Sequence, residues 1–599
     1  GTSGIGVYLN SGTWKDDYWT VQNGRARQFD NSGVINAGTG DAIRLAGSVN
    51  DMTVNFMNGS QVTGNITAET GSKAVLSFGK KAAADGTATA DTDPAAVMSM
   101  TGTITGSDGI AVEVLAGKLT QTGSSTVTKA TVKPGASWIV TGDLENKGQF
   151  GIAAYGDTVG TINVSGQASV DGSKVVMVKG SIYKPEQTYD ILQAGSISGT
   201  VQGGAFTGLL NATAVNDGKK ATVTTVIGDN LGTRTAKQQQ LHLLMKDMYS
   251  ATQSSDMYKL FSLDAAGAKQ ALDEIGSGGP LGTATLTQST TVAGQAIAAR
   301  MTGLKNTYLL GASIDTREGQ EKTVIPADIV LLDIHPDNNW WLKFGKSWNK
   351  IGNDYNSHSS SFVIGVDRKV SAHDRQGLFL AYGKNSGAGT LSQTTNKDIR
   401  FGLYAASQQG ARDWHLYADC GWQDNRSSRS LPALAITADS QYHSRTIELG
   451  GTYKYDLHYN SDRTWHLSPY ITAQAVRYMQ DGYHETGAGV YSQQTRAMHN
   501  TYIAGQAGIE FSRFHPRGSV AVKVGYKHIF SGHDPAVVVN FAGSPGGTFT
   551  VTGSSMDRDL LVLGLAGHHK INDAWLLDGS IEVERGKTNT NIMGEITIK

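Results

Sequence analysis

From about residue 339 onward, apolar and polar positions alternate with a period of two. Across residues 414–423, Trp414, Leu416, Ala418, Cys420 and Trp422 fall on one side, and His415, Tyr417, Asp419, Gly421 and Gln423 on the other. A strand points successive side chains to opposite faces, so this segment reads as a strand with one apolar and one polar face. The same pattern predicts twelve strands near 339–350, 358–370, 375–385, 396–407, 412–424, 442–457, 464–479, 499–514, 518–530, 556–569, 573–585 and 589–599. Their apolar faces include Trp340, Leu342 and Phe344, then Phe401, then Leu563, then Trp575. The opposite faces carry Lys343, Asp367, Arg400, Glu448, Gln474, Glu510, Lys523 and Glu582 among glycines. Connections such as 371–374, 515–518 and 570–573 are about four residues long, whereas 386–395, 424–441, 480–499 and 531–555 run from about ten to twenty-five. Tight turns at one end, long loops at the other and an apolar exterior predict a closed outer-membrane barrel. An even strand number puts both barrel ends on the short-turn, periplasmic side.

Residues 1–228 carry a different pattern. Short apolar stretches (AIRLAG, MTVNFMNG, AVLSFG, VMSMTGTITG, AVEVLAG, TINVSG) recur roughly every twenty residues between turns. Each is too short to bury a face alone, so the coils are expected to stack as a parallel β-helix. At about 4.8 Å per rung, some ten rungs would make a rod on the order of 50 Å long. Residues 229–337 read as a helical linker, with helical spacing at Leu241, Leu244 and Met248 and again at Ala265, Ala268, Leu272 and Ile275. Residues 283–306 are small and polar all round, which suits a helix inside a narrow, water-filled barrel better than one in an ordinary core. Residues 307–337 read as a connector, and residues 338–599 as the barrel.

Composition narrows this picture. The chain has 599 residues, too many for one core. Its net charge of −1 gives no reason to expect nucleic acid. Glycine is abundant at 74 and proline scarce at 11, as repeated tight turns in an all-β protein require. The single cysteine, Cys420, rules out an internal disulfide and lies on an apolar strand face, where it acts as a small hydrophobe. No run of some twenty apolar residues is present, so no helical membrane span is expected. The chain starts without Met, in mid-pattern, and reads as a fragment or a processed form.

These residues together resemble a family, the type Va autotransporters. GASWIVTGDLENKGQF, GTINVSGQASVDG and YDILQAGSISG look like the autochaperone end of a passenger β-helix, about residues 130–228. DAAGAKQALDEIGSG is similar to the helical linker, and ARMTGLKN, with Arg300, Leu304 and Asn306, to the pore helix. SFVIGVDRKV, FGLYAA, IELGGTYKY, LSPYITAQAVRY, AGIEFSRF, GYKHIF and FTVTGSSMDRDLLVLGLAG follow the order of the β-domain motifs. The resemblance implies a right-handed parallel β-helix passenger displayed at the cell surface or secreted. It also implies a twelve-stranded antiparallel barrel in the bacterial outer membrane, with a helix in its pore. Expected partners are outer-membrane lipid, the barrel-assembly machinery, periplasmic chaperones and, for the passenger, a host surface or a neighbouring cell. Family members end in an outward aromatic. Ile592, Gly594, Ile596 and Ile598 share the outer face, so a further aromatic residue is expected directly after Lys599.

Motifs for chemistry are sparse. Gly345-Lys346-Ser347 and Gly586-Lys587-Thr588 lack the leading glycine of a phosphate loop, with Trp340 and Ile581 in its place. Gly1-Thr2-Ser3 opens like a subtilisin serine motif, but no helix pattern or matching Asp and His follow. His568-His569 has no third metal ligand nearby in sequence. The inward carboxylates Glu448 and Glu510, with Asn306, form a candidate self-cleavage set; the simpler reading pairs them with Arg400, Lys523 or Arg445, or with the pore helix. Neither an enzyme nor a cofactor is expected. The passenger's task is expected to be adhesion or self-association. The alternatives are a passenger-borne enzyme, disfavoured by the absence of His from residues 1–228, and an outer-membrane channel.

Overall fold

In the computed structural model the described residues are all except 1–4, 10–26, 85–86, 107–108, 279–337, 353–354, 372, 460–464, 516–517, 572–575 and 599. They form two compact units, Gly1–Asp273 and Glu274–Lys599.

The first unit is a barrel-like sheet of mostly parallel strands stacked in ladders. One ladder aligns Phe29, Val54, Leu76, Val112, Ala130, Phe150 and Val175 on successive strands. A second aligns Ile43, Ile66, Ile104, Ser125, Leu144, Ala168 and Ile197. A third runs Met98, Leu119, Trp138, Ile162 and Leu192. Most of these side chains are buried, and Phe56 stacks on Phe78 at 4.3 Å. Each short strand therefore gains a core only from its neighbours, the arithmetic of a repeat architecture. Gln121, a polar side chain deep in the third ladder's face, is satisfied: it accepts from Trp138 Nε1 at 3.2 Å and from Ser125 Oγ at 2.9 Å.

Glycines mark the corners. Gly102, Gly123 and Gly142 stack in a column at φ of +149°, +133° and +151°, and an added Cβ at Gly123 would lie 2.4 Å from the Gly102 carbonyl oxygen. Neither the backbone angle nor the space admits a side chain there.

The parallel stack ends in antiparallel pairing of Thr188–Ser198, Leu210–Asn216 and Lys220–Ile227. Helices Ala236–Thr252 and Ala265–Ile275 follow. Thr235 and Gln238 close the first with a capping box, each side chain bonding the other's backbone N–H. Leu241, Met245, Met248, Leu260 and Phe261 are buried. Tyr249 donates its hydroxyl to the Pro185 carbonyl, and Phe261's carbonyl accepts from Thr207. Residues 236–261 thus belong to the first unit's core.

The second unit is a closed antiparallel barrel of twelve strands: β1 (Asn338–Ile351), β2 (Tyr355–Lys369), β3 (Asp374–Gly389), β4 (Ser392–Gln409), β5 (Arg412–Leu431), β6 (Ile436–Tyr455), β7 (Trp465–Gln480), β8 (Met498–His515), β9 (Gly518–Ser531), β10 (Asp559–Lys570), β11 (Leu576–Arg585) and β12 (Thr590–Ile598). Leu342 pairs with Ile598, which closes the cylinder with Asn338 and Ile598 at one rim, here the lower rim.

Two of the expected long loops are not loops. Residues 386–395 and 424–441 continue β3–β4 and β5–β6 as paired strands, joined at the upper rim by Gly389–Ser392 and Leu431–Ile436. Strands β5 and β6 reach 20 residues each. The other two long connections are real, and they join each other: Gln493–Thr495 from one pairs with Ala536–Phe541 from the other in a four-stranded sheet.

Outward positions are apolar and exposed, as lipid requires. Trp340 is 69% exposed, and Phe344, Phe401, Trp422 and Leu563 each about half. Trp414 is half-buried on the same face, and Cys420 is exposed there. Trp575 lies outside the described residues.

The barrel lumen as the candidate functional site

The lumen is lined by ion pairs set by register. Arg400 on β4 is fully buried at the centre of the largest cluster. Its guanidinium donates to Asp398 at 2.6 Å, Asp419 at 2.8 Å, Glu448 at 3.0 Å and Thr446 at 3.1 Å. Gly421 is the residue opposite Arg400, and a Cβ there would lie 2.5 Å from the Thr446 hydroxyl, so glycine leaves room for the cluster. Glu448 also accepts from Tyr417 at 2.9 Å and Gln474 at 2.7 Å.

Around the lumen, Lys454 pairs with Glu510 at 2.7 Å, Lys343 with Glu595 at 2.6 Å, and Lys527 with Glu584 at 2.9 Å. Lys523 pairs with Glu582. The polar sequence positions Arg400, Glu448, Glu510 and Lys523 are thus all on the inner wall. Arg445 is not: its odd parity on β6 puts it on the exposed outer face. Glu448 and Glu510 each accept from a cation, so neither is a free base. Among the described residues no three His, Cys, Asp or Glu converge as a metal site; His568 contacts Asp578 instead. Arg300, Leu304 and Asn306 lie outside the described residues.

An aromatic wall on the lumen side of β1–β5 went unread in the sequence apart from Tyr417, which falls on the polar face of residues 414–423. Trp341, Phe379, Tyr404 and Tyr417 are buried there with Val363 and Ala381. Each ring lies over a glycine of the neighbouring strand: Trp341 over Gly365, Phe379 over Gly402, Tyr404 over Gly377 and Tyr417 over Gly450. Trp341 donates to the Tyr404 hydroxyl at 2.9 Å, which donates to Asp367 at 2.7 Å, and Asp367 accepts from Arg375 at 2.7 Å.

At the upper rim, Arg429 of β5 pairs with Glu485 at 2.6 Å and donates to the carbonyls of Glu274 at 3.1 Å and Ile275 at 3.3 Å. Gln493 donates to the Ile275 and Ser277 carbonyls, and the Ala433 N–H donates to Glu274. The segment that begins the second unit is therefore held at the upper rim, while β1 starts at the lower one. Ser277 and Asn338 therefore lie at opposite ends of the barrel.

An apolar exterior, an ion-paired lumen and closure without edges define a β-barrel of the outer-membrane type. Residues 340–582 match the family described as the autotransporter beta-domain, and the barrel of this chain is an autotransporter β-domain. The upper rim, which carries the long connections, is accordingly the outer one. Solved structures that resemble the chain include the translocator domain of the autotransporter NalP from Neisseria meningitidis, at 15% identity, 44% of this chain, 88% of that one and a TM-score of 0.38. The beta domain of the Bordetella autotransporter BrkA follows at 14%, 44%, 98% and 0.32. The transport unit of AIDA-I from Escherichia coli follows at 14%, 50%, 98% and 0.32. No curated protein matches the chain.

Proposed function

We propose that the chain is a type V secretion device that inserts its barrel in the outer membrane and displays its own N-terminal unit, a right-handed parallel β-helix passenger, at the cell surface. The observation that carries this reading is the placement of two flanking segments: residues 274–277 are gripped at the outer rim, and β1 starts at the periplasmic rim. A helix over residues 283–306 would span about 36 Å, enough to cross a hydrocarbon core of about 30 Å inside the lumen. Stepwise stacking of rungs outside the cell would supply a pull without nucleotide. The passenger's task is adhesion or self-association, supported by the ladder of Thr63, Thr101, Thr122 and Thr141 on successive strands. Self-cleavage at the carboxylates is disfavoured because Glu448 is saturated by Arg400, Tyr417 and Gln474.

Protease added to intact cells expressing the chain is expected to remove the N-terminal unit and leave the barrel. Protection of that unit until the outer membrane is permeabilised would refute display. The channel alternative predicts high single-channel conductance in the intact chain. A plugged translocator predicts low conductance that rises when residues 229–306 are deleted.

A further inference from the structure

Strand register arranges the outward side chains of β1–β5 in rows. The uppermost apolar row runs Phe344, Phe362, Tyr382, Ile399 and Trp422. The next row toward the outer rim is Lys346, Ser360, Lys384, Lys397 and Asp424. Lys384 and Lys397 are direct cross-strand partners. Like charges so placed destabilise a strand pair. Neither lysine makes a hydrogen bond or ion pair among the described residues. Asp424, the next residue along, is engaged by Gln441 at 3.1 Å and His443 at 3.9 Å. Lys346 sits over the Trp348 ring at 5.2 Å.

Above the lysines the wall is concave. An open groove of about 1350 Å³ is lined by Trp348, His358, Ser386, Thr395 and Arg426 among other polar side chains. Its edge meets the lysine row, and that row meets the lipid belt. Asp424 lies directly opposite Lys397, so the row carries three lysines against one carboxylate, and a net cationic row beside the lipid belt calls for phosphate. A groove that sets hydroxyls and amides beside the apolar faces of Trp348 and Ile592 calls for sugar, whose rings carry polar edges and apolar faces.

We propose that the Lys346–Lys384–Lys397 row and the groove above it bind the phosphorylated sugar headgroup of an outer-leaflet glycolipid. The lysines take the phosphates, and the hydroxyl- and amide-lined groove takes the saccharide. A phosphate-only phospholipid would leave the groove unfilled. This inference rests on the outer-membrane reading above and deepens its lipid partner.

The test is native mass spectrometry of the full chain taken from phosphatidylcholine vesicles doped with diphosphoryl lipid A, dephosphorylated lipid A or phosphatidylglycerol. The unaltered chain is expected to retain diphosphoryl lipid A over the other two. K384Q/K397Q is expected to lose that retention by about fivefold per lysine, about 25-fold for the pair. R368Q/R412Q, which removes outward cations at the periplasmic rim, is expected to retain lipid A as the unaltered chain does. Equal retention by K384Q/K397Q, or equal retention of phosphatidylglycerol, would overturn the site while leaving the inserted barrel intact. Failure of the unaltered chain to insert in any of the vesicles would overturn the outer-membrane reading itself.

Discussion

Replacing Arg400 with methionine would leave Asp398, Asp419 and Glu448 buried together without their cation. Removing one partner of a buried ion pair costs about 3–5 kcal/mol. Carboxylates about 5 Å apart repel by about 3 kcal/mol per pair at an effective dielectric near 20, so the residual repulsion is of the same size. At about 2–4 °C per kcal/mol for a unit of this length, the unfolding transition of the refolded barrel in detergent should fall by roughly 10 °C. Tryptophan fluorescence during heating reads it directly. The argument makes a second demand. If like-charge repulsion is the cause, R400M/D419N/E448Q should recover most of the loss, because the remaining Asp398 still accepts from Gln423 at 2.9 Å. An R400M transition equal to that of the unaltered chain, or a triple variant no better than R400M, would refute the reasoning.

Three further outcomes are expected. G123A should destabilise the first unit by about 1–3 kcal/mol from backbone strain alone, with the clash adding to it; G33A, whose Cβ would meet nothing within 4 Å, should be neutral by protease resistance. His242 has its pKa lowered by burial, with Arg234 and Lys246 acting in the same direction and Asp229 opposing. Its folded value is below the unfolded one, so its contribution to stability is present above the ordinary histidine range and lost as pH falls through the folded value. Hydrogen-exchange protection factors in Ala236–Thr252, with the intrinsic rate divided out, should therefore fall on acidification, and H242Q should flatten that dependence. R429Q should remove the Arg429 donors from the Glu274 and Ile275 carbonyls, leaving Ser277 and Gln493 as their partners, and speed limited proteolysis near residue 277; an unchanged cleavage rate would count against the grip at the outer rim.

The barrel was legible where lipid enforces a contrast. Trp340 to Phe344 alternate with polar neighbours because one face meets hydrocarbon and the other water. Above the belt both faces meet water, so Lys384, Ser386 and Ala388 carry no contrast, and residues 386–395 read as a loop although they are strand. The lumen's partners were less visible for a different reason. Arg400 and Glu448 lie two strands apart, and only register brings them together. The aromatic wall was hidden because Trp341 and Tyr404 break the polar-inward rule, and their match to Gly365 and Gly377 exists only across strands. In the first unit, recurrence every twenty residues revealed short stacked strands, while the offsets that build three ladders are a property of turns.

The 20-residue length of β5 and β6 has a consequence for delivery. At about 3.3 Å per residue and a tilt near 40°, such strands rise about 50 Å, roughly twice the apolar band of about 25 Å. On this flank the wall continues as a chimney above the bilayer surface. A polypeptide threading the cylinder would be sheltered from the surrounding sugar coat until it emerges well clear of it, so its first rungs could fold in open solvent.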